Sequence, residues 1–328
     1  MNLRQMQYFV AIAEDGSISR SAERLLVAQP SLSAQIKSLE AELGGPVFER
    51  IPRGVRLTAA GKAFLPEARA AITHAANATR NARSVLGLKG GELEVATITS
   101  VAFGILPSAF QIWHQHYPAA TIALREYTDR NALAQAVRMG VADIAVGPQP
   151  AQWRGPIIEL GWEQFVVIVP STDPLAGTTD PVPLSALEHR DWVLFGPGHG
   201  LSDFILEACA LAGFVPRRTV QTTQVAAASH LAAAGLGVTL IPENVAPAGL
   251  HAATRHVKPP LVRKLFAYTR SEWPPLATTF VEALQRLRWP TKPDRATVLR
   301  SGAPIGMRGY PNIAHDPSAR LVDGLEEP

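Results

Sequence analysis

The spacing of apolar residues changes character at Lys89-Gly90-Gly91, and that change decides how the 328 residues can be divided. Before it, apolar positions recur at helical intervals around one short extended hairpin; after it, strand-like runs alternate with helical stretches. Leu3, Met6, Phe9, Val10 and Ala13 predict a first helix that stops at Asp15-Gly16. Ser17 can cap a second through Leu26, with Ile18, Ala22, Leu25 and Leu26 inward. A third opens near Pro30, runs through Leu32, Ile36, Leu39 and Leu43, and stops at Gly44-Gly45. Val47–Arg50 and Val55–Thr58 read as two strands around the tip Pro52-Arg53-Gly54. From Thr58 to Leu88 an alanine-rich apolar seam predicts one helix of about 45 Å. It packs on its own domain or forms a dimer seam. Its length favours the dimer, because nothing local is long enough to cover it.

Beyond Gly91 the order of predicted strands and helices implies an α/β fold with a largely parallel sheet in two lobes. The chain should cross between the lobes near Leu160–Trp162 and Tyr268–Arg270. The expected divisions are 1–58 for the helical domain with its hairpin, 59–89 for the long helix, 90–161 plus 268–290 for lobe 1 and 162–267 for lobe 2. Pro and Gly are frequent after Pro290, and 291–328 is expected to be a disordered tail.

Net charge is only +3, which argues against a polycation that coats nucleic acid or membrane indiscriminately. The excess is local: residues 1–88 carry a net +4 and the remainder −1. One cysteine, Cys209, cannot form an internal disulfide, and no Cys/His spacing suits a metal. No signal peptide or run of 18 apolar residues is apparent, so a cytoplasmic protein with no membrane partner is expected.

A helix-turn-helix requires a short helix, a tight turn and a second helix whose outer face is small and polar enough for the major groove. Residues 18–26 and 30–43 meet that demand, with Gln29, Ser31, Ser33, Ala34, Gln35, Lys37 and Ser38 facing outward and no acidic residue before Glu40. An ordinary solvated face would mix both charge signs. Arg50, Arg53 and Arg56 on the hairpin suit a wing that touches phosphates or a minor groove.

The run SISRSAERLLVAQPSLSAQIKSLEAELGGPVFERIPRGVRLTAAG, Ser17 to Gly61, resembles the DNA-binding domain of LysR-type transcriptional regulators. GELEVATITSVAFGILP, FQIWHQHYP, VADIAVG and AGLGVTLIP are similar to landmarks of that family's effector domain. The resemblance implies an N-terminal all-α winged helix-turn-helix, a dimerising linker helix, and two Rossmann-like lobes resembling periplasmic binding proteins. It also implies double-stranded promoter DNA and a small-molecule effector as partners, in a homodimer or homotetramer. Gln29, Pro30, Ser33 and Lys37 match the family's recognition helix, and Arg50, Arg53 and Arg56 its wing. Ala28 stands where the family usually caps that helix with Ser or Thr, and Ala34 where a larger polar side chain is common.

Ligands of open α/β sheets bind at the carboxyl ends of strands. That places Thr99, Ser100 and Thr128 of lobe 1, with Gly147, at one side of a cleft, and Gly196, Pro197, His199, Thr223 and Gln224 of lobe 2 at the other. Each alone suits routine helix capping; their convergence suggests an effector site. A small anionic effector is expected, bound by dipoles and hydroxyls because no cation accompanies Thr99, Ser100 or Thr128 in those turns, with His199 the titratable candidate. A neutral or amino-bearing effector stays open. His114 and His116 point apart on a helix, no dinucleotide, Walker or nucleophile-elbow motif is present, and neither cofactor nor catalytic residue is expected. The alternative is a cytoplasmic binding protein or enzyme that uses its N-terminal helices only to dimerise.

Overall fold

The computed structural model describes residues 1–52, 54–85, 91–247, 249 and 251–299. The N-terminal unit packs α1 (Leu3–Asp15), α2 (Ile18–Arg24) and α3 (Gln29–Leu43) around Phe9, Ile12, Leu32, Ile36 and Leu39. Asn2 and Gln5 form a reciprocal capping box on α1, and Gly16 ends it in the left-handed region. Ser17 caps α2 through Arg20 N–H. Leu26 does not face inward as expected. It adopts φ 54° in the turn before α3 and is 92% exposed, because the turn needs a left-handed residue there. α3 lacks a side-chain cap at Ala28, as expected from the residue type, and Gly44 closes it.

The hairpin β1 (Phe48–Ile51) and β2 (Gly54–Leu57) pairs antiparallel. Its far strand is held to the α1–α2 turn by Val55 N–H to the Gly16 carbonyl at 2.9 Å. Gly54 has φ 133°, and a Cβ there would stand 2.2 Å from the Gly16 oxygen, so this close approach requires glycine. The linker helix α4 (Ala59–Val85) is capped by the Thr58 hydroxyl. Phe64, Leu65 and the buried Ala68 pack on the N-terminal core, with Phe64 5.0 Å from Phe9. Ala71, Ile72 and Ala75 further along are only half-covered, and Ala78 and Ala82 are exposed. The last residues of the expected seam, through Leu88, lie outside the described residues.

Lobe 1 is built from β3 (Glu92–Ile98), α5 (Thr99–Gly104), α6 (Leu106–His116), β4 (Thr121–Tyr127), α7 (Arg130–Arg138) and β5 (Ile144–Pro148), with β3 parallel to both β4 and β5. The long β6 (Ile157–Pro170) then runs into lobe 2. Lobe 2 contains β7 (Val182–Pro183), β8 (Asp191–Phe195), α8 (Gly200–Leu211), β9 (Arg217–Thr222), α9 (Val225–Ala233), β10 (Thr239–Pro242) and β11 (Ala252–Lys258). The return strand β12 (Leu261–Tyr268) leads to α10 (Pro275–Gln285), which packs on lobe 1, and then to β13 (Thr297–Val298). Cys209 is buried in lobe 2, and burial pushes its thiol up to about 12.

The sheet is mixed rather than largely parallel. β6 and β12 pair antiparallel from lobe 1 through the crossing, Ile157–Gln164 with Val262–Tyr268, and β10 and β11 lie antiparallel on the rest of β6, because a chain that crosses out and back must reverse. The return crossing also comes earlier than Tyr268–Arg270. β12 shifts register between Leu265 and Phe266, Leu265 through Tyr268 already pair with β5, and Tyr268 is fully buried in the lobe-1 core. The expected disordered segment does not begin at 291. Residues 297–298 pair with β12, and Leu299 is buried in the lobe-2 core. Residues 300–328 lie outside the described residues.

Replacing the uncapped Ala28 with Ser should stabilise the N-terminal unit by about 1 kcal/mol, since the position is exposed and already extended. Denaturant unfolding of the two proteins checks this; an unchanged midpoint would remove the cap argument.

Candidate functional site

α3 buries Leu32, Ile36 and Leu39 and turns Gln29, Pro30, Ser31, Ala34, Lys37 and Ser38 to solvent, with Ser33 and Gln35 half-covered at the edges. Gln29 accepts a hydrogen bond from the Ser19 hydroxyl at 3.1 Å, so α2 orients it. Glu40 faces the other way and accepts from Val47 N–H at 2.9 Å and Phe48 N–H at 3.3 Å, which fixes the hairpin against α3. Arg50 is exposed on β1. Arg56 is also exposed but its Nε donates to Glu49 at 2.7 Å across the hairpin, so part of its charge is already answered, and this contact raises the Arg56 pKa further. Arg53 lies outside the described residues. The result is a convex, acid-free helix face beside a basic hairpin, the shape and charge that enter a major groove and track phosphates.

The second site lies between the lobes, and the edge of β12 creates it. β5 occupies that edge from Leu265 to Tyr268 and β13 occupies it at Leu261 and Val262, leaving Arg263 and Lys264 in the gap. A crevice of about 690 Å³ opens there, lined by these two cations, Arg130 of α7, the loop from Pro148 to Gln152, Trp162 and β13. Lys264 is shared with Glu159 at 2.9 Å and stands over the Trp162 ring. At one end the crevice narrows between Ser100, Thr128 and His199 to about 10 Å³, room for a single water. Gly200 N–H donates to the Thr128 carbonyl at 2.8 Å, closing lobe on lobe.

Arg263 is the centre of this narrow end. Its guanidinium, 2% exposed, forms a buried ion pair with Glu163, donates to the Ser100 hydroxyl at 3.2 Å and stands over the Phe165 ring. Asn244 completes the other Glu163 oxygen at 3.2 Å. His199 is 5% exposed and stacked on Phe195. Its Nδ1 accepts from Leu201 N–H at 3.2 Å, so Nε2 carries the proton in the neutral ring, and that buried Nε2 has no hydrogen-bond partner among the described residues. Burial first, and Arg263 second, hold the His199 pKa below its usual value.

The family profile described as "LysR substrate binding domain" matches residues 87–288, and "Bacterial regulatory helix-turn-helix protein, lysR family" matches residues 3–62. The chain belongs to the LysR family of transcriptional regulators. Among its relatives, the HTH-type transcriptional regulator TdfR of Cupriavidus pinatubonensis is 32% identical, covering 94% of this chain and 99% of the relative. ClcR of Pseudomonas putida is 34% identical over 75% of this chain and 84% of its own. The crystal structure of CbnR, a LysR family regulator, superposes with a TM-score of 0.69 at 26% identity, covering 87% of this chain and 99% of CbnR; CbnR complexed with its target DNA gives 0.69 at 27%, with the same coverage.

In this LysR regulator the structure brings Thr99, Ser100, Thr128 and His199 to one place, but separates the rest of the expected set. Gly147 faces Leu133, 2.7 Å from where its Cβ would be, and Pro148 lines the cleft instead. Gly196 and Pro197 shape the turn that presents His199, and Gly196 faces Gln221 and Thr223. Thr223 and Gln224 are exposed in the neighbouring turn. The expectation that no cation accompanies Thr99, Ser100 or Thr128 in those turns is corrected by Arg130, which follows Thr128 by two residues and lines the narrow end. Arg263 also reaches Ser100 from β12, 163 residues away, which turn chemistry could not reveal. The one available signal was charge inside an apolar strand, Arg263-Lys264 within LVRKLFAY.

Arg263→Ala should destabilise by about 3–5 kcal/mol by stranding the Glu163 charge, while Arg263→Met with Glu163→Leu recovers most of it; thermal unfolding of both variants checks this. Because the folded His199 pKa is lowered, its contribution is present above about pH 6.5 and is lost as pH falls from there towards the folded value. Urea midpoints at pH 7.5 and 5.5 should therefore differ less in His199→Gln than in the parent protein.

Proposed function

We propose that this LysR regulator is a cytoplasmic homo-oligomer, not an enzyme, that reads operator DNA with α3 and the β1–β2 hairpin and adjusts that binding to a small anionic effector held between the lobes. The observation that carries the effector reading is the buried, unanswered Nε2–H of His199 beside Arg263 and Ser100. Through the single water that this narrow end admits, an anion in the wider crevice would reach that donor, drawn by Arg130, Arg263 and Lys264. His199, Ser100 and Thr128 come from both lobes, so such a ligand stabilises the closed arrangement over an open one, the differential affinity that any switch requires. The half-covered face of α4 beyond Ala68 supports pairing of linker helices, and in the dimer the basic surface offered to DNA at least doubles. No described helix is long and apolar enough to cross a membrane.

On the DNA side, exposed or half-covered Gln29, Ser31, Ser33 and Gln35 would meet base edges or sugar-phosphate oxygens, with Pro30 starting the helix, and Lys37 and Arg50 would meet phosphates. Footprinting and gel shifts on the DNA upstream of its own gene should show sequence-selective binding; binding of equal strength to random DNA of the same length would overturn the reading. Gln29→Ala should cost about 1–3 kcal/mol and relax specificity, whereas Lys37→Ala should weaken all sequences alike and lower the salt slope by about one. Glu49→Gln should tighten binding by releasing Arg56 for the backbone; titrations at two salt concentrations measure each effect.

A further inference from the structure

We propose that residues 289–299 are a strap that ties the two lobes together and sets how far the crevice between them can open. The match to the family's substrate-binding domain ends at residue 288, so this segment lies beyond it. It is anchored at both ends. In lobe 1 the Trp289 indole donates to the Leu284 carbonyl at 2.9 Å and lies against Gly161, where any Cβ would stand 2.5 Å from that of Trp289. In lobe 2 Leu299 is 2% exposed within the core, and β13 is fastened to β12 by Thr297 N–H to Pro260 at 2.8 Å and Leu299 N–H to Val262 at 3.1 Å. Between the anchors Pro290 and Pro293 stiffen the path, and Lys292 passes over the Trp162 ring at 5.8 Å.

The position of the strap gives it mechanical effect. Lobes joined only by β6 and β12 can rotate about the line through those adjacent strands. A strand has two edges, and β6 holds one edge of β12, so β13 must lie on the other, in line with β5 and across the gap at Arg263 and Lys264. The strap is therefore a third connection displaced from the hinge on the crevice side, and Val298 and Leu299 form the wall facing Pro148 to Gln152. Opening the crevice would pull Leu299 from an apolar core or Trp289 from its seat, which limits rotation and hence the width of ligand admitted. The link from width to ligand choice rests on the effector reading above; the tether does not.

Pulsed dipolar spectroscopy on the full chain, with spin labels on cysteines introduced at the exposed Gln111 of lobe 1 and Glu188 of lobe 2, reads the lobe separation without any effector or DNA. A chain ending at Leu299 should reproduce the narrow distance distribution of the full chain, and a chain ending at Pro290 should give one at least twice as broad. Equal distributions for all three would overturn the strap. Should the shorter chain fail to fold, Leu299→Asn in the full chain releases the same anchor and must broaden the distribution in the same way, or the proposal falls. A broadened distribution in a protein that ignores every carboxylate tested would leave the strap standing and reject the effector reading instead.

Discussion

The pairing of β6 with β12 is the constraint on which the sensor half depends. These two strands pair antiparallel from lobe 1 through the crossing, so they are at once the hinge, the floor of the crevice and, among the described strands, the ones that contribute to both cores. At their middle sits a buried ion pair, Arg263 with Glu163. A pair of charges in that position costs desolvation that ordinary packing would avoid. What it provides is a cation fixed at the mouth of the narrow cleft, with its remaining hydrogen bond already directed at Ser100 and its carboxylate partner completed by Asn244 from the far lobe. The network thus touches lobe 1, the hinge and lobe 2 at the same time, and a ligand that competes for Arg263 acts on all three.

The DNA-binding half works with modest means. Its net charge is small, and the structure shows how little of it is spread over the surface: α3 presents amides and hydroxyls with a single lysine, while one of the described hairpin arginines is shared with Glu49. Affinity from counterion release is correspondingly limited, so recognition depends on shape and on holding the hairpin at a set distance from α3. Glu40 and the contact of Gly54 with Gly16 do that holding. The aromatic cluster of Phe9, Phe48 and Phe64 joins α1, the hairpin and the linker helix in one rigid unit, so movement of the linker is movement of the reading head.

The parts of this architecture legible in the sequence are those fixed by neighbours in the chain. Capping residues, αL glycines and apolar periodicity placed α1 and α3 closely, and the missing cap at Ala28 could be read from the residue itself. Leu26 misled because a leucine next to an apolar run resembles core, while the tight turn demanded a left-handed residue regardless of type. The first half of β6 answers needs imposed from far along the chain, since Gly161 there serves Trp289 and Glu163 serves Arg263. The cleft was half legible for the same reason: turn residues such as Ser100 and His199 announce themselves locally, whereas Arg263 and β13 belong to the site only through sheet pairing. The composition after Pro290 suggested disorder because Leu299 contributes one buried side chain, too little for composition to register.

Cys209 bears on what a stimulus can leave in the chain. The thiol is enclosed in the lobe-2 core, kept protonated by burial, and is the only cysteine in the chain. Thiolate chemistry and disulfide exchange are closed to it. A stimulus therefore has no thiol through which to leave a disulfide in the protein.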